Sequence, residues 1–269
     1  MSSVPLMRAA RIRSRSWVTL RVLAVALACS STAIGSAGAD SLSTDIGTAG
    51  VPAILSQPVT SEVAQALRLE EQASDLAAKG RAAEAEPLYR QSLATIEQSL
   101  PNDPILAGSL NNFASFYLAQ RRFAEAAELL ERALPICVSA YGDNHVVTAK
   151  VINNLARAYL SDRKYEKAEP LYARGLVATE TLLGPDNYSV AISLDWLAQT
   201  HFFQHRYALA EQELTRGIAV AEKSTGPDSQ FVVRLLDHLM SVVGAQGRVQ
   251  EATAIKEHAQ QIIAKTLKP

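Results

Sequence analysis

His201 and His205, in the string "HFFQH", lie one helical turn apart. That spacing can hold a metal ion on one face of a helix, and a hydrolytic zinc site would add a glutamate directly after the first histidine. Phe202 stands there instead. The chain has no glycine-rich phosphate loop and no nucleophile elbow, and its carboxylates fall at turns and on faces expected to be solvated. Of the two cysteines, Cys29 lies near the N-terminus and Cys137 in the body, so no disulfide closes within the body. These residues lead to the expectation of a non-enzymatic chain that needs no metal or cofactor. The rival, a metal-dependent hydrolase, would have to use His201 and His205.

The elements that would position such side chains repeat. "LNNFASFYLAQRRFAEAAELLERAL" (110–134), "INNLARAYLSDRKYEKAEPLYARGL" (152–176) and "LDWLAQTHFFQHRYALAEQELTRGI" (194–218) follow one another at a step of 42 residues. A fourth copy begins at Leu69, after a 41-residue step, and a fifth at Leu236. Such a period is the mark of stacked repeats. Each copy holds two apolar runs of helical period. The predicted units are 61–101, 102–142, 143–184, 185–226 and 227–266.

Small residues recur where paired helices must approach closely. One column is Ala73, Ala114, Ala156, Ala198 and Met240; another is Ala85, Ala126, Ala168, Ala210 and Ala252. Larger side chains fill the columns between them: Tyr117, Tyr159 and His201 share one, and Phe123, Tyr165 and Tyr207 another. In the turns between units, Gly142, Gly184 and Gly226 suit a left-handed helix end, and Asp103, Asn144, Asp186 and Asp228 suit N-caps. Inside the units, Gly80 and Gly247 fit turns of positive φ, which Arg121, Arg163 and His205 must also tolerate. A hairpin apolar on more than one face cannot stand alone. Stacking is the solution, so the predicted fold is an all-α, right-handed α-solenoid of five helical hairpins.

These columns resemble the tetratricopeptide repeat. The 42-residue period and the strings "LNNFA", "INNLA", "AEPLY" and "LGPDN" are similar to its kinesin light chain-like subclass. The resemblance covers residues 61–266 and implies a protein-interaction scaffold whose first helices line a concave groove. By repeat position, that groove is expected to present Asn111 and Ser115; Lys150, Asn153 and Arg157; Asp195, Gln199 and Phe202; then Arg234 and Asp237. An asparagine amide both donates and accepts, as an extended peptide backbone requires. Asn111 and Asn153 match that column, whereas Asp195 and Asp237 only accept. The expected partner is a protein or extended peptide, acidic near unit three and basic near units four and five. The alternatives are side chains that bond only within the stack, and a structural solenoid that associates with itself.

The N-terminus has another character. Residues 1–39 carry five arginines (8, 11, 13, 15 and 21) and no acid, then an apolar "VLAVALAC" (22–29) and small residues ending "AGAD". That order matches a secretory signal cleaved after Ala39, which predicts a periplasmic or secreted protein. An uncleaved membrane anchor, a mitochondrial targeting peptide, and a lipoprotein acylated at Cys29 remain as alternatives, and only anchor or lipid would tie the chain to a membrane. Removing the segment leaves 21 basic and 27 acidic residues, without the basic patch that a nucleic-acid partner demands. Residues 40–60, punctuated by Gly and Pro, read as a flexible lead-in.

Overall fold

The computed structural model describes residues 60–266. The expected signal segment, Cys29 and all but the last residue of the lead-in lie outside them. Ten helices fill the described residues: α1 (Ser61–Ala78), α2 (Ala82–Ser99), α3 (Pro104–Ala119), α4 (Phe123–Tyr141), α5 (Val146–Ser161), α6 (Tyr165–Leu183), α7 (Tyr188–Phe203), α8 (Tyr207–Thr225), α9 (Gln230–Ala245) and α10 (Val249–Thr266). They pair into five hairpins, each odd-numbered helix packing on the even-numbered one after it, and each hairpin on the next. The architecture is an all-α solenoid.

The alanine columns do what their size allows. Ala73, Ala114, Ala156 and Ala198 are at most 1% exposed, and Ala85, Ala126, Ala168 and Ala210 are fully buried. Leu110, Ile152 and Leu194, also buried, occupy the column that opens each repeat string. In the last hairpin Met240 and Ala252 are half-buried, because nothing stacks beyond them.

The turns explain why each helix starts where it does. Thr60, Asp103, His145, Asn187 and Ser229 have extended backbones, and each side chain accepts a hydrogen bond from an N–H of the first turn. Such caps satisfy donors that no helix can satisfy itself. The expected cap was right at Asp103 and one residue early at Asn144, Asp186 and Asp228. Two of those turn acids reach instead to the far end of their own hairpin, Asp186 to Lys223 and Asp228 to Lys265. Gly142, Gly184 and Gly226 have φ of 81°, 83° and 88°, as their type suggested, but ψ of 173°, 157° and 152°. This combination lies outside the left-handed helical region and is open to almost no residue but glycine. Arg121, Arg163 and His205 do adopt positive φ, at 60°, 59° and 61°.

Odd-numbered helices approach one another at three of the four junctions, α1 with α3, α3 with α5 and α7 with α9. Even-numbered helices are bridged by long side chains, such as Arg132 to Glu97 and Arg216 to Glu180. The stack therefore bends with its odd-numbered helices on the inside.

Candidate functional site on the inner face

The accessible stripe along each inner helix is set by helical geometry. On α5 it comprises Lys150, Asn153, Asn154 and Arg157, all half-buried. On α3 the half-buried residues are Gly108, Asn112 and Ser115; on α7 they are Ile192, Trp196 and Gln199, with Phe203 exposed at the end. Lys150, Asn153, Arg157, Ser115 and Gln199 thus stand where expected. Phe202 is half-buried and lines the hollow described below. Two others do not stand where expected: Asn111 and Asp195 are each 3% exposed. They share the repeat position of Asn153, but each meets a donor of the next hairpin there, so they serve the stack.

What they do there is a ladder. The Asn112 amide donates to Glu70 of the preceding hairpin. Asn154 Nδ2 donates to Asn111 Oδ1 at 2.8 Å. His238 Nδ1 lies 2.6 Å from Asp195 Oδ1, and Arg234 reaches the same carboxylate at 3.7 Å. At the rung between the third and fourth hairpins, Asn153 faces the position of Trp196, and no hydrogen bond joins them. The indole lies parallel to the ring of Tyr172, centroids 6.2 Å apart. Asp237 holds the acceptor position of the fifth hairpin; among the described residues no further hairpin packs on it, and it is exposed.

The unfilled rung leaves polar groups without partners. Asn153 makes no hydrogen bond among the described residues, and its Oδ1 occupies the space where a Cβ on Gly175 would stand. Arg157 has no ion pair among the described residues, and burial pushes its pKa down. The Tyr172 hydroxyl is buried without a hydrogen-bond partner. Burial pushes its pKa up, with the positive charge of Arg157 pulling the other way and Asp195 adding to the rise. Trp196 also lines a hollow of about 630 Å³ at the ends of α5 and α7, with Leu160, Tyr165, Gln199, Phe202 and Phe203. The Tyr165 and Phe203 rings stack there at 5.5 Å. Guanidinium, amide and hydroxyl are all donors, so the chemistry on offer is capture of an anionic or carbonyl oxygen next to an apolar surface.

The outer face carries a second ladder. Arg122 binds Glu86 at 2.6 Å, Arg206 binds Glu169 at 2.7 Å, and Arg248 binds Glu211 at 2.7 Å. Between the second and third hairpins Lys164 has the donor's place, but Ala127 stands where the acid should be, and Lys164 turns to Asp162 at 2.6 Å. Burial pushes the Glu169 carboxyl up, but hydrogen bonds from Arg206 and Gln204, with His201 close by, prevail and hold it at about 2. For Glu86 the same contest, with Arg122, Arg90 and Tyr117, also ends at about 2.

The two histidines have separate duties. His201 is buried against Glu213, whereas His205 sits in its turn with Nδ1 2.8 Å from the Tyr207 hydroxyl. No group of three or more His, Cys, Asp or Glu side chains among the described residues is placed to hold a metal ion. No described helix is long and apolar enough to cross a membrane.

The sequence profile of the tetratricopeptide repeat matches the chain twice, over residues 62–137 and 105–181. The chain is a tetratricopeptide repeat protein. A solved structure titled as kinesin light chain nearly identical TPR-like repeats from Podosopora anserina is similar to it, with a TM-score of 0.70 at 23% identity, over 78% of this chain and 100% of that one. BtubC (BKLC) from P. vanneervenii has a TM-score of 0.62 at 25% identity, over 77% of this chain and 92% of that one. The apo form of RapI has a TM-score of 0.64 at 16% identity, over 75% of this chain and 71% of that one. No curated protein matches. The tetratricopeptide repeats are thus of the kinesin light chain-like kind, and they mark the protein as a protein–protein interaction scaffold.

Proposed function

We propose that this scaffold captures an extended segment of a partner protein along its inner face, and that an acidic group of that segment is held by Arg157. The observation that carries the reading is the half-buried guanidinium without a counter-ion. Burying a charge unpaired is costly, and a bound carboxylate would offset that cost through two parallel N–H bonds. Asn153, free of the stack's ladder, offers both a donor and an acceptor to the backbone of the segment. Asp237 and Arg234 flank a smaller cavity of about 330 Å³ in the last hairpin, and the exposed Asp237 suits a basic residue of the same segment. We further propose that the protein is exported, cleaved after Ala39, and meets its partner outside the cytoplasm.

Capture from the native compartment tests the groove. Residues 40–269 should retain a specific partner that Asn153→Ala plus Arg157→Ala loses, with the circular dichroism spectrum and Tm unchanged. If every partner survives the double substitution, the inner face of the third hairpin is not the binding site. The intact mass of the protein from its host tests export: a mass that includes residues 1–39 overturns cleavage, and a lipid on Cys29 replaces it with anchoring.

A further inference from the structure

His201 occupies the repeat position of Tyr117 and Tyr159. The tyrosines there each serve one carboxylate: Tyr117 donates its hydroxyl to Glu86 at 3.0 Å, and Tyr159 to Glu131. His201 faces two. Its Nδ1 lies 2.8 Å from Glu213 Oε2, on α8 of its own hairpin. Its Nε2 lies 3.2 Å from Glu169 Oε1, on α6 of the preceding hairpin. The second contact is off the hydrogen-bonding direction, so it is one of charge. The imidazole is 6% exposed, so water does not substitute for either partner. The other charged group in the cluster is Arg206, which grips both oxygens of Glu169 at 2.7 Å, with Gln204 Nε2 donating to Oε2 at 3.1 Å.

A neutral imidazole has one N–H and one bare lone pair. The neutral ring can donate from Nδ1 to Glu213 but offers Glu169 no charge; the imidazolium keeps that bond and attracts Glu169 as well. The arrangement is therefore complete in one protonation state and incomplete in the other, unlike the tyrosine positions, whose hydroxyls are held neutral by raised pKa values.

We propose that His201 is a protonation-operated clamp between the third and fourth hairpins. With the imidazolium present, α7 is tied to α6 as well as to α8. Loss of the proton removes the tie across the junction and leaves Glu169 to Arg206 and Gln204. The same junction carries the unfilled inner rung of Asn153 and Trp196, so the clamp governs the place where the inner ladder gives least support. The hydrogen bond with Glu213 raises the His201 pKa against the opposing effect of burial, with Glu169 adding to the rise. Stabilisation by the clamp is thus full below the unfolded value of about 6.5 and is lost as pH rises through the higher folded value. This inference does not depend on a peptide occupying the groove.

The test is an NMR titration of residues 40–269 with labelled histidine, from pH 5 to 9. The His201 ring should titrate above the unfolded value, and backbone amides of α6 around Glu169 should shift with the same midpoint. The Tm should fall across that interval by roughly 2–4 °C, and His201→Tyr, which restores the residue type of the other units, should remove that part of the fall. Should His201→Tyr fail to fold, Glu169→Gln serves in its place: it keeps the contact, removes one charge, and should lower the His201 midpoint. A ring that titrates at or below the unfolded value overturns the clamp. So do α6 amides that ignore the titration, or a His201→Tyr protein with the pH slope of the wild type.

Discussion

Glu70→Gln should make the first hairpin more stable at neutral pH. Glu70 is 6% exposed in the acceptor place of the inner ladder, where later hairpins use Asn111, Asn153 and Asp195. Burial pushes its carboxyl above the usual range, against the opposing pull of Ser109 and Asn112. The native state therefore holds the anion less readily than the unfolded chain does. A glutamine keeps the oxygen that accepts from Asn112 and removes the charge. Its Nε2 can donate to Ser109 Oγ, which lies by the carboxyl but forms no well-aligned hydrogen bond of its own. Removing one poorly compensated buried polar group is worth about 1–3 kcal/mol. In a solenoid the gain stays near the altered unit, so it reads as slower local opening of α1 and α3 and not as a large change in global unfolding. Amide exchange of α1 in the variant should be slower by about 5- to 150-fold at pH 7.5. A raised folded pKa means that the wild type recovers its stability as pH falls toward the unfolded value of about 4.3, so the advantage should vanish near pH 4. A variant that opens faster than wild type at pH 7.5 would refute the reasoning. A gain of the same size at both pH values would refute it too.

Four further outcomes follow from the geometry. Gly217→Ala should stabilise by about 0.5–1 kcal/mol in urea denaturation, because the added Cβ meets Leu194 Cβ at 3.5 Å, an ordinary contact. Gly175→Ala should bring no such gain, since its Cβ would displace the Asn153 amide; weakened partner capture would report that displacement. Ser229→Ala should cost about 1 kcal/mol, measured by denaturation, through loss of the bond from the Val232 N–H at 3.3 Å. Glu86 and Glu169, both held at about 2, contribute stability that is present above the unfolded value and lost only as pH falls toward 2. Glu169→Gln should therefore flatten the acid limb of a Tm-versus-pH curve below pH 4.5.

The solenoid was legible because its evidence is redundant: five copies of one pattern, each with small residues where helices touch and turn residues where they end. Positive φ at Arg121, Arg163 and His205 was legible for the same reason, since glycine holds that place in the flanking units. The inner face was less so. Asn111, Asn153 and Asp195 hold one repeat position, yet Asn111 and Asp195 are drawn into the junction by a donor on the next hairpin, which Asn153 lacks. The signal that could have separated them is the adjacent pair in each string: "NN" at 111–112 and 153–154, "DW" at 195–196, "DH" at 237–238. The first member accepts from the hairpin that follows, and the second faces the hairpin before. The ladder joins residues 42 or 43 apart through different chemical types, so no single unit reveals it. The clamp at His201 was read as packing alone, because its two glutamates come from different helices.

The unlike rungs bear on how a chain of near-copies avoids assembling in the wrong order. Similar hairpins offer one another similar alanine seams, so a hairpin could in principle dock two places away from its neighbour. The outer arginine–glutamate pairs would not object, being nearly the same at each junction that has them. The inner rungs would. If the fourth hairpin docked directly on the second, Trp196 would lie over Asn111 and take from it the amide that Asn154 supplies. If the fifth docked on the third, Asp195 would lose His238 and the nearby Arg234. Each misplacement strands a buried polar group, at a cost of about 1–3 kcal/mol. The inner face thus works as a set of keyed joints, and deleting the 42 residues of the third hairpin would leave a shorter solenoid in which Asn111 faces Trp196 and lacks its amide donor.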